Sequence, residues 1–195
     1  MTSEETGPNV PDLTFRHYDA RQARDARDTV ALIHRDAYAD AIASGDPFAS
    51  HDAFMRRFDA HTTRLSLDLV ISYVGDEPVG QAWGWPEGTA DANQQTDAPD
   101  DGGRESADEG GSRTFGFAEI MVRAAWTGRG IAHALHDELL GARPEQRAEL
   151  YVRPSNTRAY QAYLRWGWRK VGEIRPDLPD APLFDVLILL LPIGR

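Results

Sequence analysis

The chain has 195 residues, 41% hydrophobic and 27% charged, which suits one domain with a proper core. It contains no cysteine, which excludes disulfides, thiolate zinc sites and a cysteine nucleophile and fits a reducing compartment. A formal net charge of −10 argues against general nucleic-acid binding, although −7 of it lies within Glu87 to Ser112.

Residues 1–12 read as a flexible, polar and acidic tail without an apolar stretch of signal-peptide length. Leu13 to Tyr18 is a short first strand. Ala23 to Ala43 reads as one long helix, with Val30, Ile33, His34, Ala37, Tyr38 and Ala41 on one face. Gly45-Asp46-Pro47 ends it, and His51 to Phe58 is a short second helix burying Phe54, Met55 and Phe58. Leu65 to Val74 and Pro78 to Trp85 are strands joined by the turn Gly75-Asp76-Glu77. Trp83 and Trp85 share a strand face and either pack in the core or line a pocket.

Residues 87–112 hold eight acids, no aromatic and no β-branched apolar residue, so they are expected to form a long disordered loop. Thr114 to Val122 is the next strand. Gly130 to Leu140 is a helix on Ile131, Ala134, Leu135 and Leu139, stopped by Gly141. Glu149 to Val152 is a short strand. Asn156 to Trp166 is a helix with Asn156 as N-cap and Gly167 past its end. Val171 to Ile174 and Phe184 to Leu191 close a mixed α/β sheet. The last run, broken by Asp185, is far too short to span a bilayer, so a cytoplasmic protein is expected, with no membrane partner.

The informative stretch is Glu119 to Trp168. A strand ends at Val122, and a connection leads to Gly128-Arg129-Gly130-Ile131-Ala132 at a helix start. Amides there are unpaired by the helix itself, and glycines let an anion reach them. A glycine pair before a helix is also common as a plain turn. A P-loop would need Gly-Lys-Ser/Thr, which is absent. A dinucleotide fingerprint would need a third glycine where His133 stands, and would place the glycines nearer the strand. His133 and His136 are spaced for one helix face, but no third ligand stands out, so both are expected to be surface histidines and no metal site is expected. His34 is expected to be a satisfied core histidine.

The second helix adds Asn156, Ala159, Tyr163, Gly167 and Trp168 at offsets matching Asn-x-x-Ala-x-x-x-Tyr-x-x-x-Gly-aromatic. Together with Val122 and Thr127-Gly128-Arg129-Gly130-Ile131-Ala132, this resembles the GNAT superfamily of acyl-CoA N-acyltransferases over roughly Leu13 to Leu191. Thr127 stands where Gln or Arg is usual, and Ala124 where Pro is frequent. The resemblance implies a mixed, mostly antiparallel sheet of six or seven strands with about four helices, its fourth and fifth strands splayed, in a single domain over 13–195. It implies acetyl-CoA as cosubstrate, its pyrophosphate on the amides of Gly128 to Ala132, its pantetheine arm along Met121 and Val122, and contacts from Arg123, Thr127, Arg129 and Asn156. Arg153 and Arg158 also fall near the two motifs; all four arginines are either phosphate contacts or ordinary surface residues.

The resemblance further implies an amine acceptor, of small-molecule or peptide type, and Tyr163 as the acid that protonates the leaving thiolate. A homodimer is compatible with it. Glu119 is the candidate base: alternation puts Phe115, Phe117, Glu119 and Met121 on one face, and a carboxylate on an apolar stripe has a raised pKa. The alternatives are a solvated Glu119 and a Tyr163 that packs with Tyr160 and Leu164. Asp36, Asp40, Asp46 and Asp52 either favour a cationic acceptor or are solvated.

Overall fold

A computed structural model describes residues 10–88, 113–175 and 182–193. The acidic loop expected over 87–112 lies outside them from residue 89 on, as does most of the expected tail. In chain order the elements are β1 (Leu13–Tyr18), α1 (Ala20–Asp25), α2 (Arg27–Ala37), α3 (Ala39–Ala43), α4 (His51–His61), β2 (Asp68–Val74), β3 (Glu77–Pro86), β4 (Thr114–Val122), α5 (Ile131–Leu140), β5 (Arg147–Val152), α6 (Thr157–Arg165), β6 (Arg169–Ile174) and β7 (Phe184–Leu190). The strands form one seven-stranded sheet in the order β1-β2-β3-β4-β5-β7-β6. β4 and β5 are parallel, while β1–β2, β2–β3, β5–β7 and β6–β7 are antiparallel. The β4–β5 ladder covers three pairs, Thr114 to Gly116 on Arg147 to Glu149, in keeping with strands that part further on.

The chain divides into two compact units, Met1–Gly84 with Glu119–Gly141, and Trp85–Ala118 with Ala142–Arg195. In the first, the expected long helix is three segments. Asp19 starts α1 with a capping box: its carboxylate accepts from the Gln22 amide at 2.8 Å, and the Gln22 side chain accepts from the Asp19 amide at 3.0 Å. Backbone bonds run on across the breaks, from Val30 to Ala26 and from Ile42 to Tyr38, so the apolar period reads as unbroken. Ile33, Phe54, Phe58, Leu69, Ile71 and Leu135 are fully buried there. Trp83 belongs to this core, with Phe58 edge-on at 5.4 Å. Gly80 is forced by close approach: a Cβ would lie 2.9 Å from Leu135 Cδ1 and 3.0 Å from the Met121 carbonyl oxygen. His34 is buried as expected, stacked on Phe54 at 3.8 Å.

In the second unit the apolar β7 carries buried Asp185. Its charge is met by Lys170 at 2.9 Å, and it accepts a hydrogen bond from the Tyr160 hydroxyl at 2.8 Å. No helix among the described residues is long and apolar enough to cross a membrane.

His17 on β1 ties two neighbouring elements of the first unit, reaching Asp68 at 2.9 Å and Glu138 at 3.2 Å. Burial works against its charge, but the two carboxylates outweigh burial and raise its pKa. The pair therefore stabilises the fold below the unfolded histidine value of about 6.5 and is lost as pH rises through the folded value. The melting-temperature gap between the wild type and His17→Gln should narrow from about pH 6 to about pH 9. A gap that stays constant or widens over that range contradicts this role.

Candidate active site

β4 delivers Glu119 to Val122 to the connection before α5, and the connection is clamped at its first residue. The Arg123 amide donates to the Val79 carbonyl at 2.9 Å. Its guanidinium reaches Asp36 and Glu77, both at 2.8 Å, and the Pro78 carbonyl at 3.2 Å. Asp36 also accepts from the Ala124 amide at 2.8 Å. Burial alone would raise the Asp36 pKa, but the Ala124 amide and Arg123 hold it below the usual carboxylate range. Arg123, expected to face phosphate, thus has two carboxylates against it. Asp36 is spent on this clamp, and Asp46 caps the short turn at Pro47–Ala49 through the Phe48 amide at 2.9 Å. Two of the four acids, read as either favouring a cationic acceptor or solvated, therefore have local work.

A single turn of 3-10 helix, Ala124–Trp126, follows. The Thr127 hydroxyl donates back to the Ala124 carbonyl at 3.0 Å, and Arg129 lies over the Trp126 ring at 4.9 Å. Gly128 and Gly130 both adopt left-handed backbone, at φ 77° and 81°, where a side chain would be strained. α5 then begins without a side-chain cap. Among the described residues, no group accepts a hydrogen bond from the amides of Gly128 to Ala132. Gly128, Arg129 and Gly130 are exposed, while Ile131 anchors the helix start in the core. The result is a row of outward N–H groups at the positive end of a helix dipole, suited to an anion with several oxygens.

Glu119 lies three residues beyond the β4–β5 ladder and is partly exposed, whereas Phe115, Phe117 and Met121 of its expected face are buried. Desolvation raises its pKa, and Arg57, 3.7 Å away, opposes that rise. Arg57 on α4 is held in place by the Phe48 carbonyl at 3.0 Å and by the Phe48 ring at 4.3 Å. Sequence reasoning missed Arg57, because an arginine between Met55 and Phe58 on a short amphipathic helix looks like any solvent-facing residue.

In the second unit, Asn156 caps α6, its side-chain oxygen accepting from the Ala159 amide at 3.4 Å. Tyr163 is buried, with the Trp166 and Trp168 rings edge-on at 5.7 Å and 6.0 Å. The Trp168 amide donates to the Tyr163 carbonyl at 3.0 Å and the Gly167 amide to that of Leu164 at 3.2 Å, with Gly167 at φ 90°. This is a Schellman stop with its apolar contact between the third-last helical residue and the second residue past the cap. The spacing of Asn156, Ala159, Tyr163, Gly167 and Trp168 is thus that of a capped helix start and a glycine-terminated end.

Residues 33–168, more than half of the chain, match the model of the acetyltransferase (GNAT) family. The chain belongs to the GNAT acetyltransferase family. Solved GNAT-type folds resemble it over nearly its whole length. An acetyltransferase from Thermus thermophilus has a TM-score of 0.63 at 14% identity, covering 93% of this chain and 99% of that one. The protein yncA of Salmonella typhimurium, solved with acetyl-CoA, has a TM-score of 0.58 at 12% identity, covering 94% and 96%. Spermidine N-acetyltransferase from Vibrio cholerae, solved with CoA and spermine, has a TM-score of 0.56 at 13% identity, covering 92% and 95%. At these identities the likeness is one of fold. Among curated proteins none matches the sequence.

The geometry makes the Glu119–Arg57 pair testable in the free protein. Removing the guanidinium with Arg57→Gln leaves desolvation unopposed, so the Glu119 carboxyl should titrate at higher pH, read by carboxyl-carbon NMR. An unchanged or lower titration point would show that the pair is not electrostatically coupled.

Proposed function

We propose that this GNAT protein transfers an acetyl group from acetyl-CoA directly to a primary amine of a small molecule or peptide. The observation that carries the reading is the row of amides from Gly128 to Ala132 that no described residue uses. A diphosphate supplies acceptor oxygens for such a row without needing a lysine. Arg129 beside it, over the Trp126 ring, adds positive charge. The acetyl-CoA and CoA complexes among the fold relatives support the same cosubstrate. The acetyl-CoA arm runs along Met121 and Val122 in this reading, and Asn156 adds a contact. A cytoplasmic location fits a cosubstrate of that compartment.

The chemistry divides among named residues. Glu119, with its raised pKa, takes a proton from the ammonium, directly or through water. The amine nitrogen then attacks the thioester carbon. A backbone N–H near Val122 stabilises the oxyanion as the tetrahedral intermediate forms. The carbon–sulfur bond breaks, Tyr163 donates its hydroxyl proton to the departing thiolate, the second proton shed by the acylated nitrogen restores the Tyr163 hydroxyl, and Glu119 returns its proton to solvent. The products are an N-acetyl amine and free CoA, with no covalent enzyme intermediate.

A second reading has a specific observation behind it. Burial of Tyr163 against Trp166 and Trp168 at a helix stop is also what packing alone produces, and that suits a module that binds acyl-CoA without turning it over. Acetyl-CoA-dependent thiol release against amines, polyamines, peptides and aminoglycosides separates the two. At least one acceptor should support release, and Glu119→Gln and Tyr163→Phe should each lower kcat by about 10²- to 10⁴-fold while CoA still raises the melting temperature. No release with any acceptor, alongside stabilisation by CoA, would favour the binding module. Stabilisation by NADH or ATP equal to that by CoA would end both readings.

A further inference from the structure

The first turns of α5 carry a cluster that acyl transfer does not use. His133, His136 and Asp137 stand at i, i+3 and i+4, and their donor atoms all lie within 4.8 Å of one another. Of the two histidines expected at the surface, His133 is partly exposed and His136 is not. His136 is buried, and the Asp137 carboxylate lies between the two rings, 2.8 Å from His136 Nδ1 and 3.5 Å from His133 Nε2.

We propose that His133, His136 and Asp137 bind one divalent transition-metal ion of the zinc, nickel or copper type, with water completing its coordination. A four-coordinate ion with bonds of about 2.0–2.1 Å places neighbouring ligands roughly 3.3 Å apart, between the two separations that Asp137 makes. Two imidazoles and one carboxylate select borderline ions over magnesium or calcium, which take oxygen ligands. All three ligands sit on one ten-residue helix whose Leu135, Leu139 and Leu140 are in the core, so the scaffold is rigid. His136 backs the site from the interior, and the partly exposed side chains of His133 and Asp137 give the ion its way in from solvent. The ion takes the place of a proton between His136 and Asp137, and nothing in the proposal depends on the acyl-transfer reading.

The test uses the full chain without a histidine tag. Isothermal titration with zinc chloride should give one site, with no comparable binding of magnesium. His133→Ala and Asp137→Asn leave the buried ring untouched and should weaken zinc by at least the roughly 10- to 100-fold lost when even a ligand's outer partner is removed. With copper(II), electron paramagnetic resonance should show two imidazole nitrogens in the wild type and one in His133→Ala. Wild-type and variant chains that bind zinc equally, or a copper spectrum that His133→Ala leaves unchanged, would overturn the site.

Discussion

Helix α5 starts with its first amides unanswered, and the surrounding structure makes sense as what holds them open. An N-cap side chain would stabilise a helix start by about 1 kcal/mol, yet here the position belongs to a left-handed glycine that offers none. The preceding residues are fixed from outside: Arg123 is gripped by Asp36 and Glu77, the 3-10 turn closes on Arg123, and Ile131 is sunk in the core. Order is imposed on both flanks while the amides between stay available. That arrangement is costly for a bare turn and useful for an anion site.

Charge follows the same division. Most of the net negative charge lies in residues 87–112, and Asp36 and Glu77 beside the connection share Arg123. The local potential at these amides is set by the helix dipole and nearby Arg129 more than by the sum over the chain. In the same unit, desolvation and Arg57 pull the Glu119 carboxyl in opposite directions, which leaves its proton affinity open to adjustment by whatever displaces the arginine.

Much of the fold was legible because it is written in local patterns. β1 and β4 fall on their expected residues, and α5, α6 and β7 within a residue or two. The two glycines before α5 were legible as a turn, and their left-handed backbone is what that turn requires. The long first helix was misjudged because one-residue breaks at Ala26 and Tyr38 leave both the apolar period and the hydrogen bonding continuous. Long-range partners were out of reach. Asp36 lies 87 residues before Arg123, and Arg57 is 62 residues before Glu119, so no spacing rule links them. His136 was misplaced for a related reason: a histidine between Leu135 and Leu139 gives no sign that it takes a core position. The motif around Tyr163 was recognised by its spacing, but its physical meaning as a capped and glycine-stopped helix emerges from the backbone bonds.

The central claim is that the amides of Gly128 to Ala132 grip a diphosphate. Backbone nitrogen–proton NMR of the full chain tests it directly, comparing titration with CoA and with pantetheine, which lacks the diphosphate. The account predicts that resonances of Gly128 to Ala132 move sharply downfield with CoA and hardly at all with pantetheine. If CoA binds and those five resonances stay where they were, or move equally with both compounds, the account is wrong.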